Sequence, residues 1–102
     1  MKESFSVENV VYVSHDGKSV QLFMSNGSFF PDNITYYHVI RMLNDDFVRV
    51  NKNVIVNLNY AVRIDGNAII LINDCKFNMD ELYAKNVTNA FYKLKLMNFL
   101  PN

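Results

Sequence analysis

Residues 47–57 constrain the fold of this 102-residue chain more than any other stretch. Phe47-Val48-Arg49-Val50 and Val54-Ile55-Val56-Asn57 are rich in β-branched side chains, and between them lies a polar knot, Asn51-Lys52-Asn53. Branched side chains are stiff at χ1 and pack well on a pleated surface, so both flanks read as strands. The only charges in the stretch are the cations Arg49 and Lys52. A strand that carries polar groups to a loop and then returns to the core can present a few side chains to a partner.

The same logic organises the rest of the chain. Residues 7–14, with Val7, Val10, Val11, Tyr12 and Val13, read as a strand. His15-Asp16-Gly17-Lys18 reads as a hairpin turn, since Asp-Gly supplies the positive backbone angle such turns require. A return strand follows at 20–24, Asn26-Gly27 is a second turn signal, and 28–30 reads as a third strand of a meander. Pro31-Asp32-Asn33 breaks the pattern. Tyr36, Val39, Ile40 and Leu43 at helical spacing predict a short helix over about 34–43, capped by Asn33 or Thr35. Strand signals resume at 47–50, 54–56 and 60–64. After a turn at Asp65-Gly66-Asn67, the apolar run 68–72 predicts a buried strand, and Cys75-Lys76-Phe77 follows a turn at Asn73-Asp74.

The last element reads as a helix over about 79–99, capped by Asn78 or Asp80 and stopped by Pro101. Tyr83, Val87, Ala90, Phe91, Leu94 and Met97 recur at steps of three and four, a stripe suited to core or to a dimer contact. The expected class is therefore α+β, mainly antiparallel β with two helices, in one domain spanning 1–102 around a single core.

Charge narrows the possible partners. Ten basic and ten acidic residues cancel, so net charge alone points to neither nucleic acid nor an anionic membrane. The distribution is uneven: residues 1–46 carry three cations (Lys2, Lys18, Arg41) against six anions, and 47–102 carry seven cations against four anions. The opening stretch begins the basic half. One cysteine, Cys75, excludes an internal disulfide and reads as a strand residue; no Cys/His spacing resembles a metal site. His15 reads as a turn residue and His38 as a helix-surface residue. No nucleophile–base pair, phosphate-cradling glycine loop or carboxylate pair stands out, so neither an enzyme nor a cofactor is expected. The N-terminus lacks the apolar run of a signal peptide, and no stretch reaches the roughly 20 apolar residues of a membrane span. A cytoplasmic protein without a membrane partner is the expectation.

Taken together, this order of elements resembles the LytTR DNA-binding domain of bacterial transcription regulators. The family hallmark is Phe-x-Arg-x-His-Arg/Lys-Ser-x-x-Val-Asn, and Phe47, Arg49, Lys52, Val56 and Asn57 match it in register. The Asp16-Gly17 hairpin, the short helix before Phe47 and the Gly66-Asn67 hairpin fit as well. Three departures stand out: Asn51 occupies the usual His position, Asn53 the usual Ser position, and Asp80 falls where the family commonly has an arginine. The resemblance implies a mostly β fold that reads double-stranded DNA with strands and loops, a known minority mode of recognition. It implies DNA contacts from Arg49, Asn51, Lys52 and Asn53, from Lys18 or Ser19 after the first turn, and from Asn78 after the last strand. Lys and Arg would neutralise phosphates, and Asn suits bidentate pairing with adenine.

The alternatives are structural. Arg49 can be an exposed strand position, Asn51 and Asn53 turn formers, and Asn57 an amide that satisfies nearby backbone groups. The expected function is a stand-alone, sequence-specific transcription regulator acting as a homodimer or with a regulatory protein partner. The other reading is a LytTR-like interaction module that has lost DNA binding, which neutral charge and Asp80 favour.

Overall fold

The computed structural model describes residues 5–30 and 34–99. Pro31, Asp32, Asn33 and Pro101, to which the sequence assigns a break, an alternative cap and a stop, lie outside the described residues. The elements are β1 (Val10–His15), β2 (Val20–Met24), α1 (Tyr36–Met42), β3 (Phe47–Asn51), β4 (Val54–Asn57), β5 (Ala61–Asp65), β6 (Ala68–Leu71), β7 (Lys76–Asn78) and α2 (Glu81–Phe99). They form two antiparallel sheets, ordered β2-β1-β4-β3 and β5-β6-β7, which makes the protein α+β.

Boundaries shift where the backbone finds other partners. Val7–Asn9 is a 3-10 turn, not the start of a strand, because the Asn9 N–H bonds back to the Ser6 carbonyl at 2.9 Å. Ser28–Phe30 is not a third strand: it makes only an isolated bridge between Phe29 and Phe23, and β1 pairs on its other side with β4. Asn26 tightens this corner, its Oδ1 accepting from the Ser28 N–H at 3.0 Å and Oγ at 2.6 Å. Leu58–Tyr60 and Ile72–Asp74 are also 3-10 turns, so Tyr60 and Ile72 fall outside the strands the sequence places them in. Asn73 and Asp74 both adopt left-handed backbone angles, with φ of 62° and 59°; their short polar side chains tolerate that region better than most. Thr35 caps α1, its Oγ1 accepting from the His38 N–H at 3.2 Å.

Strand alternation, broken once by a bulge in β1, sets which side chains face which layer. In β1 the register slips between Val10 and Tyr12, and in β3 between Arg49 and Asn51, leaving Val11 and Val50 as extra residues. The β1 slip puts Val10 and Val13 on one face and Val11 and Tyr12 on the other, whereas in β3 plain alternation turns Val48 and Val50 toward α2 and the second sheet, in a core with Val11, Val56, Leu71, Val87 and Phe91. Phe47 faces the other way, with Ile55, Val13, Leu22 and the α1 residue Val39. β4 is buried on both faces because a hydrophobic cluster covers each side of the sheet.

Asn57 is the one buried polar side chain among the described residues, and it links the ends of β4 and β1. Its Nδ2 donates to the Val10 carbonyl at 2.9 Å, and its Oδ1 accepts from the Asn59 N–H at 3.0 Å. A buried amide with both ends satisfied holds the sheet without leaving a polar group unpaired.

Candidate nucleic-acid interface

The β3–β4 connection is short. Asn51 pairs with Val54, so Lys52 and Asn53 alone make the turn, and both are exposed. Three sets of hydrogen bonds join this turn to distant parts of the chain. The His15 N–H, at the end of β1, donates to the Asn53 carbonyl at 2.9 Å. The Asn51 side-chain amide donates to the Asn78 carbonyl at 3.2 Å, while its Oδ1 accepts from the Asn53 N–H at 2.8 Å. The third set comes from Arg49.

Arg49 turns its guanidinium back onto its own loop. Nη1 donates to the Asn51 carbonyl at 3.3 Å, the Lys52 carbonyl at 3.0 Å and His15 Nε2 at 3.1 Å, and Nη2 donates to the Tyr36 hydroxyl. The Tyr36 ring lies 5.8 Å from the guanidinium carbon and 4.1 Å from the His15 ring, centroid to centroid. Since an arginine can only donate, His15 Nε2 must accept, which places the neutral ring's proton on Nδ1. Burial, and then the adjacent Arg49 charge, hold the His15 pKa below the usual histidine value; Asp16 pulls weakly the other way.

The β1–β2 turn beside it is held locally. Asp16 Oδ1 accepts from the Ser19 N–H at 2.8 Å, the Lys18 N–H at 3.0 Å and the Ser19 hydroxyl at 3.2 Å. Those bonds, the Ser19 amide first, lower the carboxyl's pKa. The β7–α2 junction is stitched in from the other side. The Asp80 N–H donates to the carbonyl of the bulged Val50 at 2.8 Å, and the Met79 N–H to the Asn67 carbonyl at 2.8 Å. The Asp80 carbonyl then opens α2 by accepting from the Tyr83 and Ala84 N–H groups. One edge of the molecule thus collects the β1–β2 turn, the β3–β4 turn and the β7–α2 junction.

The family profile of the LytTr DNA-binding domain matches residues 3–91. The chain belongs to the LytTr DNA-binding domain family. Among solved structures it is similar to the LytTr DNA-binding domain of a putative methyl-accepting/DNA response regulator from Bacillus cereus. That likeness has a TM-score of 0.68 at 16% identity and covers 84% of each chain. No curated protein matches the sequence.

In this LytTr domain the residues singled out by sequence all come to the edge just described, but they differ in freedom. Arg49 and Asn51 have both ends of their polar groups engaged within the protein. Ser19 faces Asp16. Lys18, Lys52, Asn53 and Asn78 are exposed, and their side chains make no hydrogen bond among the described residues. Lys76 is exposed two positions before Asn78, on the same face of β7. Acids share the edge: Asp16 and Asp80 are both exposed there.

His15 and Tyr36 are the residues that sequence reasoning missed. His15 is not a turn residue; it ends β1, is half-buried, and accepts from Arg49. Its partner lies 34 residues away, and Tyr36 lies 13 residues from Arg49, so no local spacing could have announced the cluster. Among the described residues no cluster of metal-ligating side chains occurs, and no helix is long and apolar enough to cross a membrane.

Proposed function

We propose that this LytTr domain is a sequence-specific DNA-binding regulator of transcription that reads duplex DNA with its loops. The reading is carried by one observation: three loops distant in sequence are tied into one edge that displays the exposed Lys18, Lys52, Asn53 and Asn78, whose side chains make no hydrogen bond among the described residues. Lys52, at the tip of its turn, and Lys18 supply phosphate contacts, which fix register. Asn53 and Asn78 supply amides suited to the N6/N7 edge of adenine, and Ser19, whose hydroxyl donates to Asp16, keeps lone pairs that can accept from a donor on the DNA. Arg49 and Asn51 hold the reading turn in shape from behind. With few cations available, binding is modest, and its salt dependence is shallow, with a log–log slope of about one per phosphate contact. A bacterial, cytoplasmic setting is part of this proposal.

A second reading, a protein-interaction module on the same fold, draws on Asp16 and Asp80, whose carboxylates stand among the cations of this edge. Selection of bound sequences from a random duplex pool at low salt separates the two. DNA reading predicts an enriched motif. Lys52→Ala should then weaken binding to all sequences and reduce the salt slope by about one phosphate contact. A pool that enriches nothing overturns the DNA reading and leaves the interaction module.

A further inference from the structure

α2 is apolar on two opposite faces. Tyr83, Val87 and Phe91 turn toward the sheets, with Val87 and Phe91 buried. On the far side a second series runs at alternating steps of three and four: Leu82, Lys85, Asn89, Tyr92, Leu96 and Phe99. Its apolar members are among the most exposed large side chains of the protein, at 81% for Leu82, 55% for Tyr92, 59% for Leu96 and 87% for Phe99. Tyr92, Leu96 and Phe99 also line a shallow depression at the end of the helix. These three lie beyond residue 91, where the family match stops. A three-four apolar seam is the pattern by which helices pair, and the exposed Asn89 within it is a residue type that sets register when such a seam closes.

We propose that α2 is a self-association surface on which a second copy of this chain packs antiparallel, helix against helix, along this outward seam. Charge selects the direction. A parallel pair would set Lys85 against Lys85 within the seam. An antiparallel pair sets Lys85 against Leu96 of the second copy, where its stem covers apolar surface and its ammonium nears that helix's negative end. The same alignment layers Leu82 on Phe99 and Asn89 on Tyr92, so the two most exposed apolar side chains of the helix cover each other. The seam is one helix of 19 residues long, about 28 Å. It buries less than the roughly 800 Å² per partner of a standard permanent interface, so the pair is reversible. This inference does not depend on DNA binding.

Sedimentation of the whole chain, without DNA, tests it. The weight-average mass should rise from 11.9 kDa toward twice that value as concentration is raised through the micromolar range, to which an interface this small is suited. Leu96→Lys, on the solvent side of α2, should hold the protein at the monomer mass with an unchanged circular dichroism spectrum. Direction is read by oxidising a mixture of Leu82→Cys and Phe99→Cys proteins, each with Cys75→Ser. Antiparallel pairing predicts the mixed 82–99 disulfide. A monomer at every concentration, association indifferent to Leu96→Lys, or disulfides joining only Leu82→Cys chains to each other would each overturn the proposal.

Discussion

The β1–β2 and β3–β4 turns sit side by side, joined by the bond from the His15 N–H to the Asn53 carbonyl, yet they are built in opposite ways. Asp16 organises the first with bonds that reach only two or three residues along the chain. The second takes its shape from Arg49, which needs Tyr36 from α1 and His15 from β1, and from Asn51, which needs the β7–α2 junction. A locally built turn keeps its conformation whenever its own few residues are present. A turn built from afar reports on the packing of the whole domain, and it is the one that displays Lys52 and Asn53.

The strongest way to break this contrast is Arg49→Ala. It strips donors from two loop carbonyls, a ring nitrogen and a hydroxyl, and hydrogen bonds to a charged group contribute about 1.5–3 kcal/mol. We expect urea unfolding to show a loss of about 2–3 kcal/mol, and amide exchange to quicken at residues 51–53 while residues 16–19 keep their protection. Equal loosening of both turns would show that they are one unit. Arg49→Lys should rescue little, because an ammonium cannot span the same fork of acceptors.

Gly17→Ala probes the other side with a smaller effect. Gly17 has φ of +92° and no atom within 4 Å of an added Cβ, so the penalty is backbone strain alone. A loss of about 1 kcal/mol is expected, with exchange changes confined to residues 15–19. Spread of the change into 51–53 would mean that the local turn also supports its neighbour.

Acid gives the mildest and most selective perturbation. His15 titrates below the usual histidine value in the folded protein, so the unfolded chain binds that proton more readily. Its contribution to stability is complete above about pH 6.5 and is lost as pH falls through the lower folded value. Protonation also removes the acceptor facing Arg49. Asp16 is likewise depressed, so its contribution is complete above about pH 3.9 and lost only below that. Between these points the β3–β4 turn should loosen while the β1–β2 turn does not. Nitrogen–proton spectra recorded from pH 7 to pH 4.5 would show it, and His15→Gln should flatten the response.

Much of this architecture could be read locally. Asp16-Gly17 and Gly66-Asn67 make turns where the sequence puts them, the run from Ala68 to Leu71 is a buried strand, and Tyr83, Val87 and Phe91 mark the inner face of α2. The polar knot at 51–53 was visible as a displayed loop because β-branched flanks leave few other options for the residues between them. What escaped was everything that depends on a register slip. The bulge at Val11 puts Val10 and Val13, three residues apart, on the α1 side and Val11 and Tyr12 together on the other, and alternation alone does not say where an extra residue will sit.

Sequence order therefore decided the elements, the turn chemistry and the family, since these follow from backbone preferences and short-range patterns. Only tertiary structure decided that β1 lies between β2 and β4, that Arg49 turns inward to His15 and Tyr36, and that α2 keeps an apolar face uncovered. The physical reason is range. A hydrogen bond or a buried face between residues 34 positions apart exists only once the sheets have brought them together.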